Sequence, residues 1–245
     1  MALHFLHDTP LSPELGEGSE ITLTGTEAHH AATVRRVRVG EGVTVGDGRG
    51  VWIEAVTTTV SPKEVRLRVV AREDVAPASP RTVLVQALAK GDRDELAVQT
   101  ATELGVDEIV PWQSSRSISR WEGAKAEKGR LRWESIVREA SKQAHRAFTP
   151  TVSGVVSTAS LVAMAKEFRM LLLDPTASER LTTVDIADAT GIVLVVGPEG
   201  GFTPAEIDTL VGAGAQNVRL GGTVLRTSSA GPAALAVLNA RLDRW

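Results

Sequence analysis

Three loops at predicted strand ends carry the residue types from which a ligand site is built. The most informative is Val195-Val196-Gly197-Pro198-Glu199-Gly200-Gly201-Phe202-Thr203-Pro204-Ala205-Glu206, where a β-branched run stops and three glycines and a proline follow. Glycine lets backbone approach a ligand closely, and in open α/β sheets ligands bind beyond the carboxyl ends of the strands. Thr203, Pro204 and Glu206 form a helix-start signature, with a capping hydroxyl, a first-turn proline and a capping-box carboxylate. Leu171-Leu172-Leu173-Asp174-Pro175 ends a leucine run at an Asp-Pro turn. Val218–Ala230 ends a strand, crosses Gly221-Gly222 and enters an alanine-rich helix. If the three strands are neighbours, their loops make one pocket. On spacing alone, the glycine-rich stretch is equally a ligand loop or a tight turn with no ligand. Neither G-x-G-x-x-G nor a P-loop occurs, which disfavours a conventional dinucleotide or ATP site.

Other chemistry is narrowed by composition. The 245 residues contain no cysteine, which removes disulfides, thiolate metal sites and cysteine nucleophiles. His29 and His30 are adjacent but no ordered set of further ligands accompanies them, so no metal is expected. A net charge of -3 argues against coating nucleic acid with bulk positive charge, yet a local patch suffices for phosphate contacts. Arg35-Arg36-Val37-Arg38 is such a patch; on an exposed strand it either contacts phosphate or merely solubilises. A looser cluster, Arg116, Arg120, Lys125, Lys128, Arg130 and Arg132, is diluted by Glu122 and Glu127 and reads as a solvated mixed-charge face. No run approaches the roughly 18–20 apolar residues of a membrane span. The N-terminus lacks the plan of a secretory signal, so a cytoplasmic protein without membrane partners is expected.

These residues need elements to position them. Residues 1–73 read as β-rich, with short strands near Ile21–Leu23, Val43–Val45, Val51–Val56 and Val65–Val70. Strict alternation in Val65-Arg66-Leu67-Arg68-Val69 predicts one face in a core and one in water, and the spacing suggests a small barrel. Residues 74–80, with two prolines, read as a linker. Residues 81–245 alternate strand-length runs (Thr82–Leu88, Glu108–Val110, Met170–Leu173, Ile192–Val196, Asn217–Leu220) with helices (Asp92–Leu104, Arg130–Phe148, Ala205–Gly212, Ala230–Leu242). That is an α/β domain with a parallel sheet. The helix 130–148 has an apolar stripe of Trp133, Ile136, Val137, Ala140 and Ala144, with Arg138, Lys142, Gln143 and Arg146 largely off it. His145 shows no partner and is expected at the surface. The tryptophans 52, 112, 121, 133 and 245 are expected as core or dimer anchors.

G-P-E-G-G-F-T at 197–203 combined with L-G-x-x-V-L-R-T at 220–227 closely resembles the RsmE family of 16S ribosomal RNA uridine-N3 methyltransferases, within the SPOUT superfamily. Lys90-Gly91-Asp92-Arg93 with Glu103-Leu104-Gly105-Val106, and Glu139-Ala140, Gln143, Arg146 and Pro150, match further family patterns. His29-His30, Val34, Arg36 and Gly40-Glu41 match its N-terminal one, with Arg35 in place of leucine. The resemblance spans nearly the whole chain.

It implies an α/β fold in which a SPOUT-type trefoil-knotted C-terminal domain follows a small PUA-like N-terminal β-barrel. The knot would gather Leu173, Asp174, Gly197, Pro198, Glu199, Gly200, Gly201, Leu220, Gly221 and Leu225 around S-adenosyl-L-methionine, with no metal. Arg226 is expected to stabilise the uracil oxygens or anchor the substrate, and Glu199 to orient the methyl donor or act as base. His29, Arg35, Arg36, Arg38, Gln143 and Arg146 are expected to contact RNA. Ser228 stands where the family pattern has glutamate; its hydroxyl is expected to cap the helix at Ala230 and cannot act as base. The implied partners are 16S ribosomal RNA or the small ribosomal subunit and a second copy of the chain. Alternatives are a SPOUT enzyme acting on transfer RNA or a ribose 2′-hydroxyl, and a non-catalytic dimeric RNA-binding assembly factor.

Overall fold

Alternating apolar residues in the first third of the chain and unbroken apolar runs afterwards demand two different sheets. In a computed structural model, which describes residues 2–245, the chain forms two units: Met1–Pro77 with Ser141–Thr149, and Ala78–Ala140 with Pro150–Trp245.

The first unit contains β1 (Leu3–Leu6), β2 (Glu20–Thr24), α1 (Gly25–His29), β3 (Gly42–Gly46), β4 (Val51–Val60) and β5 (Glu64–Asp74). Its sheet has the order β1-β3-β4-β5-β2. Only the β1–β3 pair is parallel. In β5, Val65, Leu67 and Val69 are buried while Arg66 and Arg68 face water, as the alternation predicts. β1 and β2 end this ladder, which bends into the small β-unit that the sequence predicts. Register shifts at Glu54/Ala55 and Thr57/Thr59 give the bend. Inside it pack Phe5, Leu23, Val45, Ile53 and Leu67.

Ser141–Thr149 joins this unit through strand-like bonds from Thr149 N to Gly48 O (2.9 Å) and from Gly50 N to Ala147 O (3.0 Å). Lys142 Nζ also donates to Glu27 Oε1 at 2.7 Å, both side chains being buried. A continuous 81–245 domain with a helix over 130–148 has no place for this. The helix α3 spans Ala124–Gln143 and stops where His145 takes a left-handed φ of 54°. Arg146 N then bonds back to Ser141 O at 3.0 Å, a Schellman closure.

The second unit is a parallel six-stranded sheet. Its strands are β6 (Arg81–Ala87), β7 (Glu108–Trp112), β8 (Thr151–Val152), β9 (Arg169–Leu173), β10 (Gly191–Val196) and β11 (Gln216–Val218), in the order β11-β9-β10-β6-β7-β8. The helices are α2 (Arg93–Glu103), the body of α3, α4 (Thr158–Glu167), α5 (Pro204–Gly212) and α6 (Thr227–Arg241). One sheet face, with Leu84, Leu171, Ile192 and Leu194, packs with Val98, Val137 and Leu235 from α2, α3 and α6. The other, with Val83, Val85, Met170, Leu172, Val193 and Val195, packs with Leu161 of α4 and Leu210 of α5. Every residue of β10 is buried. At roughly 1.5–3 kcal/mol per fully buried large apolar side chain, that run selects a central position. Gly231 of α6 lets the helix approach β6: a Cβ there would lie 2.9 Å from a Leu84 methyl.

After β11 the chain returns beside the connection that follows β9. Asp174 N bonds Val218 O (3.0 Å), Arg219 N bonds Glu179 O (2.9 Å) and Leu181 N bonds Arg219 O (2.9 Å). It then enters α6 against β10, β6 and α2.

Candidate functional site

Because β9 lies between β11 and β10, the loops beyond their carboxyl ends converge. They enclose a cavity of about 510 Å3 lined by Leu173, Asp174, Gly197, Pro198, Glu199, Gly200, Gly201, Leu225, Arg226 and others. Leu220 and Gly221 line a smaller adjoining space of about 50 Å3, together with Leu173, Asp174 and Leu225. Every residue expected at the donor site from the sequence therefore faces one of these two spaces. The walls are mainly apolar side chains and backbone, which suits an organic ligand of moderate size with a few polar anchors.

Local chemistry fixes each loop. Thr203 caps α5: its hydroxyl accepts from Glu206 N and the Glu206 carboxylate accepts from Thr203 N (2.8 Å). Burial alone would raise the Glu206 carboxyl, but bonds from Ser115 and Thr203 bring it below its ordinary value. Asp174, also buried, accepts from Thr176 N at 2.9 Å and Thr176 Oγ1 at 2.8 Å, closing the Asp-Pro turn.

Three bracing contacts had no signal in the sequence. Arg116 donates to Gly200 O (2.7 Å) and Phe202 O (2.9 Å). Gln86 Nε2, at the end of β6, donates to Thr227 Oγ1 (2.9 Å), which in turn donates to Gly197 O (2.9 Å). Glu199 accepts from Arg93 (2.9 Å) and from Lys90 N (3.2 Å). Burial pushes the Glu199 carboxyl up, yet backbone N–H groups and the Arg93 guanidinium outweigh it and hold it below the carboxylate range. A carboxylate so engaged is a clip between two loops and a poor proton acceptor. Arg226 is exposed, precedes α6 and makes no ion pair among the described residues. Ser228 does not cap that helix, because α6 starts at Thr227 and Ser228 is buried in its first turn.

The residues expected to meet RNA all lie in the first unit. His29, Arg35, Arg36, Arg38 and Gln143 are exposed and Arg146 is half-buried. The arginines stand on a loop, not a strand: α1 runs into a π-helical turn (His30–Val34), and Arg36 takes φ 55°. Gln143 is the last residue of α3 and Arg146 lies in the turn beyond, so they do not share a helical face. His30 packs edge-on to Phe5 (6.1 Å) and sits 3.5 Å from Lys142 Nζ. His145, expected at the surface, is half-buried beside His4 (ring centroids 5.5 Å), which stacks on Trp52 (4.5 Å). Trp112, Trp121 and Trp133 are buried, whereas Trp245 is 70% exposed. Among the described residues there is no group of three or more His, Asp or Glu placed to hold a metal ion. None of their helices is long and apolar enough to cross a membrane.

Comparison with known proteins agrees with this geometry. Residues 77–239 match the RNA methyltransferase domain family and residues 23–70 the RNA methyltransferase PUA domain family. The chain is 43% identical over 233 residues to the ribosomal RNA small subunit methyltransferase E of Mycobacterium bovis, covering 93% of this chain and 89% of that one. The chain belongs to the RsmE family. An RsmE protein of Bacillus subtilis is 28% identical over 235 residues, covering 92% of each chain. The RsmE crystal structure from Neisseria gonorrhoeae, bound to S-adenosyl methionine, superposes with a TM-score of 0.86 at 28% identity, covering 98% of each chain. A methyltransferase from Legionella pneumophila, in complex with the same molecule, superposes with a TM-score of 0.86 at 30% identity over 98% of each chain.

Proposed function

We propose that this chain is an S-adenosylmethionine-dependent methyltransferase that methylates N3 of a uridine in 16S ribosomal RNA. The observation that carries the reading is the cavity at the ends of β9, β10 and β11. The residues present fit the methyl donor. A Cβ at Gly197 would lie 3.3 Å from the Gly201 carbonyl carbon and one at Gly200 3.3 Å from the Arg116 side chain, so a side chain at either position would press on the loop or on its Arg116 brace. Leu173, Pro198 and Leu225 would flank the adenosine while loop backbone groups read its polar edge. The bound donor supplies an already electrophilic methyl group.

The protein's own task is then to hold uracil N3 in line with that group, chiefly a proximity effect, and to stabilise negative charge on the ring as the N3 proton leaves. Arg226 stands at the cavity rim with its guanidinium uncommitted, and we assign it to the uracil oxygens. Glu199 is engaged by Arg93 and Lys90 N, and position 228 carries a buried hydroxyl, so neither is assigned as the base. His29, Arg35, Arg36, Arg38, Gln143 and Arg146 would hold RNA from the first unit. A homodimer is part of the proposal: Val224 and Leu225, 79% and 39% exposed at the cavity rim, are apolar surface that a second copy would cover.

Calorimetric titration of the chain with S-adenosylmethionine tests the reading. Saturable binding with one site per chain is expected. No binding by the folded chain would sink it.

A further inference from the structure

The basic residues 116–132, which in the sequence look like one solvated mixed-charge face, divide into separate jobs. Arg116 turns inward to the donor loop. Arg130 is paired with Glu127 and Glu134, and Arg132 with Glu95 at 2.7 Å. Lys125 and Lys128 have no carboxylate partner among the described residues. Together with Lys90, also unpaired, they line a cleft of about 630 Å3 whose other walls include Ile118, Trp121 and Arg132.

The acidic groups of this cleft are already spent. Asp94 is buried and accepts from Ala89 N (3.1 Å) and Glu95 N (2.9 Å), and Glu95 is held by Arg132. Three free ammonium groups therefore face the cleft against no free carboxylate. Ile118, 69% exposed, adds an apolar wall. The cleft shares two walls with the donor cavity. In the first, Lys90 lines the cleft and Arg93 the cavity; in the second, Ile118 and Ser119 line the cleft and Arg116 the cavity.

We propose that this cleft binds the phosphodiester backbone of single-stranded RNA flanking the target nucleotide, through Lys90, Lys125 and Lys128. The inference rests on the methyltransferase reading for the identity of its ligand. Polyanion binding follows from the unpaired cations, and the shared walls give the placement: a strand lying in the cleft delivers its next nucleotide over the Lys90–Arg93 loop toward Arg226.

The test uses the full chain and its Lys125→Ala/Lys128→Ala variant. Binding of a fluorescent single-stranded oligoribonucleotide is measured by anisotropy across a salt series without methyl donor, and donor binding separately by calorimetry. Loss of two phosphate contacts should lower the slope of log affinity against log salt by about 1.4, at about 0.7 per contact on a single strand. Affinity should fall roughly tenfold or more at moderate salt, alike for unrelated sequences, with donor affinity unchanged. An unchanged slope and affinity would overturn the proposal. So would dissociation of a dimer by the variant, seen by sedimentation, since the cleft would then be a protein interface. Failure of the unaltered chain to bind the donor contradicts the donor-site reading alone, because the RNA titration does not involve it.

Discussion

The hydroxyl of Thr227 links two loops that are far apart in sequence, accepting from Gln86 Nε2 and donating to Gly197 O, each at 2.9 Å. The first turn of α6 and the end of β6 thereby set the position of the glycine-rich loop after β10. The conformation of that loop, which we propose cradles the methyl donor, depends on this link, because glycines alone specify no conformation.

Replacing Thr227 by valine keeps its size and removes both bonds. The fully buried Gln86 amide would keep its 3.2 Å bond to Ala87 O but lose the partner of its other N–H, and an unsatisfied buried polar group costs about 1–3 kcal/mol. Thermal unfolding should report a loss of that order. Calorimetry should show donor affinity lowered about tenfold, or 1.4 kcal/mol. Unchanged donor affinity with lowered stability would make the link purely structural.

Glu199 clips the same loop to Arg93 and Lys90 N. Glu199→Gln should cost less than about 1 kcal/mol of stability, as its side chain is 27% exposed and the pair is partly screened. Donor affinity should fall several-fold while methyl transfer from saturating donor persists. Its carboxyl is held low in the folded chain, so its contribution is present above the ordinary carboxylate range. That contribution disappears as pH falls through the lowered folded value. The stability difference between parent and variant should therefore vanish in acid; a difference that persists there would assign the effect to shape. Complete loss of transfer at saturating donor would instead restore Glu199 as base.

Lys142 and Glu27 form an ion pair whose side chains are 7% and 6% exposed. Lys142→Met leaves the Glu27 carboxylate buried without its cation, at a cost of about 3–5 kcal/mol. The double variant with Glu27→Gln should recover much of that. Denaturant unfolding followed by Trp52 fluorescence, in chains with the other tryptophans replaced by phenylalanine, is the check. A Lys142→Met chain of parental stability would refute the role.

His4 is buried against Trp52, its Nδ1 bonded to Thr44 Oγ1 at 2.9 Å. Burial, then the nearby charges of His145 and Lys142, lower its pKa from 6.5 to about 4. The unfolded chain thus takes up a proton near pH 6.5 that the folded chain refuses until about pH 4. Stability is full above the higher value and declines between the two, by roughly 3 kcal/mol in total. Histidine resonances followed by NMR should show one ring neutral at pH 5. A His4 titrating near 6.5 would contradict this.

Much of this architecture was legible in the sequence. The unbroken run Ile192–Val196 pointed to a parallel strand covered on both faces, and Val65-Arg66-Leu67-Arg68-Val69 to a strand with one face in a core, because periodicity reports burial directly. The Thr203–Glu206 capping box was legible for the same local reason. The placement of Ser141–Thr149 was not. It depends on a buried ion pair between residues 115 positions apart and on a left-handed His145 that ends α3 early, neither of which leaves a periodic trace. The bracing of the glycine-rich loop by Arg116, Gln86 and Arg93 was hidden likewise, since the partners come from the end of β6, the start of α2 and the loop after β7, all far from it in sequence. Ser228 was misread as a cap because the pattern does not reveal that α6 begins at Thr227, three residues before Ala230.

Arg226→Ala should reduce methyl transfer by several orders of magnitude with donor affinity nearly intact. A variant that methylates RNA normally would dismiss Arg226 from the reaction.

The central claim is tested most directly by incubating the chain with methyl-labelled S-adenosylmethionine and 16S ribosomal RNA, free or in the small subunit, and analysing the nucleosides by mass spectrometry. The account predicts label in 3-methyluridine at a single position. Label on a ribose 2′-oxygen, or none with donor bound, would contradict it.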